Sequence, residues 1–354
     1  MEKETFSETL IKWYQRNKRD LPWRNTKNPY QIWLSEVILQ QTRVAQGLPY
    51  YEKFVEQYPT IQALASADQK EVLRLWQGLG YYSRARNMHA TAQIIAHDFD
   101  GIFPNTYAGL LKLKGIGPYT AAAIASFAFG EKVAVVDGNV FRVLARIFGV
   151  ETDISSHEAK KIFGDLANNL ISEASPSTHN QAIMEFGATH CTPAKPACMF
   201  CIFADICVAN LSSKQGFFPV KSKKVKVKNR FFNYFIIEKD HQFLMNLRTE
   251  KDIWLGLYDF YLVESEEKTV ALDEIEDVFL REILPKSIIK SVSESYRHIL
   301  THQRIEAKFW HIVLNEGVLL PKSYRFYSLQ EIEDLPKPIL VEKYLKQTKY
   351  HPNN

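Results

Sequence analysis

Two acidic residues in apolar surroundings are the side chains of this sequence best suited to chemistry. Glu36 lies in QIWLSEVILQQ, where apolar residues occupy nearly every face of a predicted helix. Because burial disfavours the ionised form of a carboxyl group, we expect the pKa of Glu36 to be raised. A carboxyl group so placed is either paired in the core or held protonated for use. The second acid, Asp137, follows the apolar pair Val135-Val136 and precedes another predicted helix.

A glycine-containing turn precedes Asp137 by about twenty residues. In Gly115-Ile116-Gly117-Pro118 the glycines tolerate positive φ, and the proline suits the first turn of the alanine-rich helix that follows. The pattern predicts a helix, a tight hairpin and a second helix, with backbone N–H groups placed to bind a phosphate. A phosphate site followed by an isolated carboxylate suggests chemistry on a nucleic acid backbone or base. The same residues would also suit an ordinary turn between helices.

All the cysteines of the chain lie close together, at Cys191, Cys198, Cys201 and Cys207. A disulfide framework would spread its cysteines along the chain, so this clustering predicts a metal centre instead. The spacing of six, two and five residues matches neither the paired knuckles of zinc ribbons nor the ferredoxin pattern. The residues alone therefore leave a structural zinc ion and an iron–sulfur cluster as alternatives.

Composition sets broad limits. The chain has 354 residues, of which 46% are hydrophobic, enough for a substantial core and two domains. Its formal net charge of +4 is compatible with DNA binding but does not require it. The first residues carry no apolar signal region, and no apolar run is long enough to span a bilayer. We expect a soluble intracellular protein that has no membrane partner.

Helical periodicity dominates the first two thirds of the sequence, over 5–20, around Glu36, in much of 50–99 and across 140–190. Within this part, WQGLGYYSRAR at 76–86 combines glycines, tyrosines and arginines in a turn. Such a turn suits stacking on bases and contact with phosphates, or is simply an exposed loop.

A lysine-rich stretch, FFPVKSKKVKVKNR at 217–230, marks a domain boundary. It is either a linker that follows DNA or a solvated tether. Beyond it the pattern changes to a smaller α+β domain, with a helix predicted over 272–284. The predicted strands lie at 231–237, 243–245, 254–263 and 305–314.

Several motifs resemble those of the MutY-type adenine DNA glycosylases, within the helix-hairpin-helix DNA glycosylase superfamily. They are LPWRNTKNPYQIWLSEVILQQTRV, LWQGLGYYSRARNMH, LKGIGPYTAAAIASFAFG, VAVVDGNVFRVLAR and the cysteine loop. Together they span most of residues 20–207, in order. The C-terminal part resembles the family's Nudix-like domain more loosely, through IWLGLYDF and LPKPIL.

The resemblance implies a multidomain fold. An all-α helix-hairpin-helix glycosylase domain would cover 1–216 and include an iron–sulfur loop at 191–207. A basic linker would cover 217–230, an α+β Nudix-like recognition domain 231–346, and a tail 347–354. The resemblance also implies that the cysteines hold a [4Fe–4S] cluster rather than zinc.

The implied function is that of a monofunctional DNA glycosylase in base excision repair. It would flip out and excise adenine mispaired with 8-oxoguanine, and also adenine in A·G pairs. By resemblance, Glu36 is the general acid and Asp137 stabilises, or transiently bonds to, the sugar cation. Tyr119 would hydrogen-bond within this acidic pair and help to hold Asp137, and Asn139 would position the same group. We expect a monomer that binds double-stranded DNA, in the cytoplasm or at the nucleoid.

The resemblance also implies DNA contacts at positions far apart in the sequence. Gln41 and Tyr81 match the residues that wedge into the base stack around the oxidised guanine. Arg24 and Arg84 would contact the lesion pocket or the backbone. The hairpin glycines that would receive a phosphate are Gly115 and Gly117.

The C-terminal domain departs from the family pattern. The family's lesion-reading loop has an aromatic residue, a serine and a histidine, whereas this chain has Leu300, Thr301 and His302. The hydroxyl group and the imidazole are retained, and the aromatic wedge is lost. No Nudix catalytic box occurs over 265–285, so we expect a recognition module without pyrophosphatase activity.

Two other functions remain alternatives. Endonuclease III-type members of the superfamily carry a nucleophilic lysine where this chain has Tyr119, and then cut the strand. Because a tyrosine cannot form a Schiff base, we expect release of the base without strand cleavage. A catalytically silent damage-binding protein is disfavoured because Glu36, Tyr119 and Asp137 are all present.

Overall fold

The structure is a computed structural model that describes residues 3–222, 226–267, 272, 275–315 and 317–348. The chain divides into two compact units. The helical unit comprises Met1–Ser66 and Ala90–Lys223, and the sheet unit comprises Ala67–His89 and Lys224–Asn354. The segment Ala67–His89 therefore packs with the C-terminal part of the chain. In the described ranges no helix is both long enough and apolar enough to cross a membrane.

Helices account for most of residues 3–211. In chain order they are α1 (Lys3–Asn17), α2 (Pro29–Leu39), α3 (Val44–Gln57), α4 (Ile61–Ser66), α5 (Gln69–Leu75), α6 (Ser83–Asp98), α7 (Tyr107–Leu110), α8 (Pro118–Phe129), α9 (Gly138–Phe148), α10 (His157–Leu170), α11 (Pro176–Thr189) and α12 (Val208–Leu211). Of these, α5 and the first turns of α6 belong to the sheet unit.

Helix α2 carries Glu36 through the interior of the helical unit. The Asn28 side chain accepts a hydrogen bond from the Tyr30 N–H group and caps the helix, and Pro29 occupies its first turn. Every residue from Ile32 to Ile38 is buried, which confirms the prediction of a helix that is apolar nearly all round. The helix therefore brings a carboxyl group into the protein interior.

The glycine-containing turn joins α7 to α8. The first helix is only one turn long, and Gly115 has a φ of 89°, in the left-handed region that favours glycine. Gly117 caps α8 without a side chain, so no side-chain oxygen satisfies the first N–H groups of this helix. The predicted hairpin between helices is confirmed.

Aromatic residues join the cysteine loop to the core of the helical unit. Phe203, which lies between the last two cysteines, is buried and stacks on Phe6 of α1 with ring centroids 4.8 Å apart. It also meets Phe186 of α11 edge-on at 5.5 Å. Burying rings of this size contributes a large hydrophobic free energy, so Phe203 anchors the loop.

The sheet unit is built on a mixed sheet with the strand order β4-β6-β1-β3-β2-β7, in which β5 also pairs with β6. Strands β1 and β6 are parallel and the other pairs are antiparallel. The strands are β1 (Lys228–Lys239), β2 (Gln242–Leu247), β3 (Tyr258–Ser265), β4 (Ser287–Val292), β5 (Tyr296–Ile299), β6 (Gln303–Leu314) and β7 (Tyr324–Ser328). The helices of this part are α13 (Val278–Ile283), α14 (Leu329–Asp334) and α15 (Ile339–Gln347).

Helices cover both faces of this sheet. Leu280 of α13 packs in a cluster with Phe235 and Ile312, which point to one face. On the other face, Tyr344 of α15 stacks on Phe309 of β6 with ring centroids 4.3 Å apart. Because successive side chains of a strand point to opposite faces, β1 and β6 are apolar on both.

The strands predicted at 231–237, 243–245 and 305–314 are confirmed within β1, β2 and β6. The strand predicted at 254–263 begins only at Tyr258, because Trp254 and Gly256 adopt positive φ and form a loop. Lys228–Arg230, predicted as linker, belong to β1. The strands β4, β5 and β7 were not predicted, and in β4 nearly all side chains are exposed, so no hydrophobic alternation marks it.

Three predictions fall partly on residues outside the described ranges. The lysine-rich stretch includes 223–225, the predicted helix over 272–284 includes 273–274, and the tail includes 349–354. In the described part of 272–284, the α-helix begins at Val278.

Candidate active site

One cavity of the helical unit is lined by all four predicted catalytic residues, Glu36, Tyr119, Asp137 and Asn139. Arg24 lines the same cavity. The four come from three helices and their caps: Glu36 from the middle of α2, Tyr119 from the first turn of α8, and Asp137 and Asn139 from the start of α9. The fold therefore brings together residues that are more than a hundred positions apart in the chain, such as Glu36 and Asn139.

Glu36 is the buried acid of this cavity, with 7% of its surface exposed. Its Oε2 atom accepts a hydrogen bond of 2.6 Å from the Tyr119 hydroxyl group. Burial raises the pKa of Glu36 to about 7, and the charge of Asp137 acts in the same direction. The Tyr119 hydrogen bond and the charge of Arg24 lower the pKa but do not cancel the effect of burial. Glu36 can therefore hold a proton near neutral pH.

Asp137 has a different environment because it caps α9. One carboxylate oxygen accepts hydrogen bonds of 2.8 Å from the N–H groups of Asn139 and Val140, and the other accepts one of 2.8 Å from the Asn139 side chain. Burial raises the pKa of Asp137, and these hydrogen bonds act in the opposite direction. Donors at a helix N-terminus stabilise the anion, so Asp137 is the acid of the pair better suited to remain ionised.

Tyr119 and Asn139 divide the work of holding the two acids. Burial raises the pKa of Tyr119 well above its ordinary value, so its hydroxyl group keeps its proton and can donate it in a hydrogen bond. That hydrogen bond goes to Glu36, while Asp137 is held by Asn139 and by the backbone of α9. The contact of Tyr119 within the acidic pair is thus present, but it is made with the other acid.

Arg24 is held by a buried acid that the sequence analysis did not single out. Glu185 of α11 is fully buried and accepts hydrogen bonds from Arg24 Nη2 at 2.7 Å and from Arg19 Nε at 2.7 Å. Burial opposes ionisation of Glu185, but the hydrogen bonds from Arg19 and then Arg24 outweigh it and lower the pKa to about 2. The signal was available, since Glu185 interrupts the apolar run AIMEFGA as Glu36 interrupts its own helix.

Gly187 allows α11 to approach the cap of α9 closely. A Cβ atom at this position would lie 2.7 Å from the Cβ atom of Asn139, closer than side-chain atoms approach one another. The Gly187 carbonyl oxygen accepts a hydrogen bond of 2.7 Å from Arg142 Nη2, which also donates to Asn139 Oδ1 at 2.9 Å. The residue that holds Asp137 is therefore itself fixed by two neighbours.

The four cysteines line a second cavity of the helical unit, and none forms a disulfide. Groups that stabilise negative sulfur point towards them: Arg146 Nη1 lies 3.4 Å from Cys191 Sγ, and the Phe203 N–H group donates to Cys201 Sγ at 3.4 Å. Burial raises the pKa of Cys201 to about 11. Binding to a metal would remove this cost, because a metal ion stabilises the thiolate form directly.

No set of three or more His, Cys, Asp or Glu residues in the described part of the chain is arranged around a single metal ion. A [4Fe–4S] cluster has a different requirement, since each thiolate binds a separate iron and the sulfurs need not converge on one point. Four thiols around one cavity, with cationic and N–H groups directed at the sulfurs, fit such a cluster in donor type and charge.

Helix α9 links the cysteine loop to the acidic pair. Arg142 Nε donates to the carbonyl oxygen of Cys191 at 2.8 Å, while its Nη2 reaches Asn139. One turn further along α9, Arg146 donates to the carbonyl oxygens of Thr192 and Pro193 at 2.7 and 2.9 Å. The loop and Asp137 are therefore positioned by one rigid element.

The sheet unit has a cavity of its own, lined by Tyr81, Thr301 and His302, which were predicted to bind DNA. Thr301 and His302 lie in the turn between β5 and β6, which is closed by a hydrogen bond of 2.8 Å from the Leu300 N–H group to the Gln303 carbonyl oxygen. It places Thr301 and His302 in exposed positions, and the Thr301 hydroxyl group lies 2.5 Å from that of Tyr81. We call this cavity the turn cavity. It is lined by Tyr81, Tyr82, Ser83, Arg86, Asp252, Ile253, Trp254, Leu300, Thr301, His302 and Gln303.

Arg84 packs against the ring of Tyr81 and contacts other residues of the sheet unit. Its guanidinium group lies over the rings of Trp76 and Tyr81, at 5.0 and 5.7 Å from their centroids, and donates to the Gly80 carbonyl oxygen at 3.2 Å. Burial lowers the pKa of Arg84 to about 10. These contacts support Tyr81, so Arg84 is better placed to position that ring than to meet a phosphate.

Arg230 joins two walls of the turn cavity. Its guanidinium group donates to both carboxylate oxygens of Asp252 at 2.8 Å and to Gln303 Oε1 at 3.1 Å. It also forms an ion pair of 2.5 Å with Glu264. Asp252 and Gln303 both line the cavity, so one buried side chain sets the distance between them. Arg230 is thus part of β1 and a support of the cavity, whereas the lysine-rich pattern around it predicts a linker.

Three further predicted DNA-binding residues line none of the three cavities described above. Gln41 is exposed just beyond α2, with a φ of 56°, and Gly115 and Gly117 are exposed at the hairpin. Gln41 and Tyr81, the two predicted wedge residues, both have positive φ although neither is glycine. Such strain persists where the surrounding structure requires it, and it is common at functional sites.

Comparison with known proteins identifies both parts of the chain. Residues 34–169 match the family described as HhH-GPD superfamily base excision DNA repair protein, and residues 233–347 match the NUDIX domain. An adenine DNA glycosylase from Buchnera aphidicola subsp. Acyrthosiphon pisum is 34% identical over 76% of this chain and 77% of its own length. Another, from Buchnera aphidicola subsp. Baizongia pistaciae, is 30% identical over 97% of each chain.

A solved structure is also similar to the helical part. A thermostable thymine-DNA glycosylase matches with a TM-score of 0.55 and 29% identity, over 59% of this chain and 97% of its own length. This similarity confirms the predicted helix-hairpin-helix fold, and the NUDIX match confirms that a Nudix-like domain follows it. Because an adenine DNA glycosylase that is 30% identical matches along 97% of each chain, the chain belongs to the adenine DNA glycosylase family.

Proposed function

We propose that this protein is a monofunctional DNA glycosylase that excises adenine mispaired with 8-oxoguanine, and also adenine in A·G pairs. The observation that carries the proposal is the pairing of two acids in one cavity, with Glu36 able to keep its proton and Asp137 held by three donors. Adenine is a poor leaving group, and its departure leaves positive charge on the sugar. An acid and an anion answer these two needs.

In the proposed reaction, the Glu36 carboxyl group transfers its proton to N7 of the flipped adenine. The bond between the base nitrogen and sugar carbon C1′ then breaks, and its electron pair leaves with the base. Asp137 stabilises the resulting sugar cation or bonds to it transiently. A water molecule adds its hydroxide to C1′ and its proton returns to a carboxylate, which leaves free adenine and an abasic site.

Tyr119 supports the monofunctional outcome. Strand cleavage by the related lyases needs an amine that forms a Schiff base with the sugar, and a phenol cannot form one. Burial also keeps the Tyr119 hydroxyl group neutral, bonded to Glu36. The phosphodiester backbone is therefore left intact.

DNA recognition is proposed to use both units. The exposed N–H groups near Gly115 and Gly117 would receive a phosphate. Gln41 and Tyr81 would enter the base stack when the adenine is flipped out. Base flipping costs a few kcal/mol because the base must unstack and unpair. Thr301 and His302 would read the oxidised guanine. Arg24 and Arg84 would contact the lesion pocket or the backbone, Arg24 held by Glu185 and Arg84 held against the ring of Tyr81.

Cys191, Cys198, Cys201 and Cys207 are proposed to hold a [4Fe–4S] cluster. Such a cluster would supply no step of base excision and would hold the loop in one conformation. The proposed domain order is a helix-hairpin-helix glycosylase domain, a basic linker that ends before Lys228, a Nudix-like recognition domain and a tail. Since the proposed substrate is mispaired double-stranded DNA, we propose a location inside the cell, in the cytoplasm or at the nucleoid.

The test is a labelled duplex with a single A·8-oxoguanine pair, next to a matched A·T duplex. Strand breaks would be measured with and without hot alkali. Breaks that appear only after alkali, at the adenine of the lesion duplex, are the expected result. Breaks without alkali would favour the endonuclease III-type alternative, and tight binding without breaks would favour a silent damage-binding protein.

A further inference from the structure

We propose that Glu185 is a positioning residue for the general acid: it holds Arg24 in a fixed place, so that Glu36 retains its proton. This inference rests on the proposed function, in which Glu36 must be protonated to act. It concerns a residue that takes no part in the proposed proton transfer itself.

Both carboxylate oxygens of Glu185 accept hydrogen bonds from arginines. Glu185 Oε2 accepts hydrogen bonds from Arg24 Nη2 at 2.7 Å and from Arg19 Nη2 at 2.6 Å. Glu185 Oε1 accepts from Arg19 Nε at 2.7 Å and from the Arg19 backbone N–H group at 3.0 Å. The second amino group of Arg24, Nη1, donates to the Arg19 carbonyl oxygen at 3.0 Å. Both ends of the Arg24 guanidinium group are therefore fixed.

This arrangement matters because Arg24 is the cation that acts on Glu36. The groups that shift the pKa of Glu36 are Tyr119 from α8, Asp137 from the cap of α9, and Arg24 from the turn before α2. The other charged groups that line the cavity are Glu185 of α11 and its partner Arg19. A cation beside a buried carboxyl group favours its ionised form. Burial and the charge of Asp137 keep the proton on Glu36 against the charge of Arg24, so a closer approach of Arg24 would release it.

Removal of the charge on Glu185 would change this balance. Arg24, whose side chain is 13% exposed, would need another charged acceptor after the loss of this carboxylate, because an unpaired charge with little access to water is costly. Glu36 is an acid of the same cavity and is the acceptor that would suit it. Glu185 therefore acts through Arg24, by giving the cation a partner other than the general acid.

The contacts of Glu185 also join the end of α1 to α11, so a structural role alone is the competing explanation. A purely structural role would lower stability and slow the reaction equally at every pH. The positioning role predicts a change in the pH at which the reaction fails. The two explanations are therefore separated by a pH profile.

The experiment measures single-turnover adenine release from an A·8-oxoguanine duplex between pH 5 and 9. The wild-type rate should fall as pH rises through the pKa of Glu36, about 7. For Glu185→Gln we expect the midpoint to move down by about one pH unit, which is about a tenfold loss of rate on the alkaline side. For Glu185→Gln with Arg24→Gln the midpoint should return towards the wild-type value, because the cation is gone.

Glu185→Asp keeps the charge but shortens the side chain, so a smaller downward shift is expected. It also serves if Glu185→Gln does not fold, as checked by circular dichroism and thermal unfolding. A slower reaction with an unmoved midpoint in the folded variants overturns the inference. Wild-type protein that releases no adenine would overturn the proposed function instead.

A direct titration of Glu36 keeps the two conclusions apart. The infrared carboxyl band that is absent in Glu36→Gln reports its protonation without any reaction. A lower midpoint of this band in Glu185→Gln supports the positioning role, and an unchanged midpoint contradicts it.

Discussion

The cavity of the predicted catalytic residues and the turn cavity are built in opposite ways. In the helical unit, Glu36 and Tyr119 are held away from solvent, and burial shifts their pKa values far from the ordinary range. In the sheet unit, Thr301 and His302 stand exposed on a turn, and the buried charges lie behind them, in Arg230 and its partners. The difference fits their proposed tasks, since holding a proton needs a dry site and reading a base needs exposed polar groups.

The largest effect that would test this comparison is the loss of the buried acid. Glu36→Gln removes the proton donor while keeping the size of the side chain. General acid catalysis contributes roughly 10²–10⁴-fold, so we expect adenine release to fall by that factor, with binding to the mispaired duplex retained. Single-turnover rates and a binding titration would measure both. Glu173→Gln, at an exposed glutamate of the same unit, should leave both unchanged. Normal excision by Glu36→Gln would contradict the assignment.

Stability should also depend on pH through Glu36. Burial raises the pKa of Glu36 in the folded state from 4.5 to about 7. A folded-state pKa above the unfolded value means that protonation favours the folded state, and that this stability is lost as pH rises from about 4.5 through 7. Between pH 5 and 8.5, Glu36→Gln should lose less free energy of unfolding than wild type, by roughly 3 kcal/mol.

Denaturant unfolding at the two pH values would measure this difference. Glu173→Gln should behave as wild type, because its side chain is exposed. If Glu36→Gln follows the wild-type pH dependence, Glu36 does not carry the unusual protonation that distinguishes the two cavities.

A smaller effect is expected at the buried support of the turn cavity. Arg230→Met removes the hydrogen bonds to Asp252, Glu264 and Gln303, so Glu264 loses this cation, while Asp252 keeps its ion pair of 3.2 Å with Arg248. Because the side chains of Asp252 and Glu264 are about a third exposed, water can solvate them once Arg230 is gone, so we expect the free energy of unfolding to fall by only about 2 kcal/mol in total. Arg297→Met, at an exposed arginine on the same sheet, should cost no more than about 0.5 kcal/mol.

The same variant should reduce selectivity more than basal activity. If Arg230 positions the walls of the turn cavity, Arg230→Met should lose preference for A·8-oxoguanine over A·G, while excision from A·G continues. A loss of stability without a change in selectivity would show that Arg230 supports the sheet but not recognition.

The smallest effect is expected at the exposed turn itself. His302→Ala removes a polar side chain without disturbing the core, so stability should not change. Loss of one hydrogen bond is worth about 1 kcal/mol, so the preference for A·8-oxoguanine over A·G should fall about fivefold. His241→Ala, at a histidine that is 98% exposed, is the matched control. Unchanged selectivity over A·G in His302→Ala would remove His302 from lesion reading.

Local pattern accounts for the parts of the fold and site that were predicted correctly. The apolar surroundings of Glu36, the glycine hairpin and the position of Asp137 before a helix depend on neighbours within a few turns, and the structure agrees with each. Strands with a clear hydrophobic run were also predicted. The strand β4 was missed because its side chains are exposed, so its sequence carries no alternation.

The sequence by itself determined which residues could do the chemistry: an acid inside an apolar helix, an acid that caps a helix, and four cysteines close together. Only the tertiary structure decided their partners. It paired Tyr119 with Glu36, assigned Arg24 to Glu185, buried Arg230 behind the turn cavity and grouped Ala67–His89 with the sheet. These pairings join residues far apart in the chain, and their free energies depend on burial and geometry that no local pattern records.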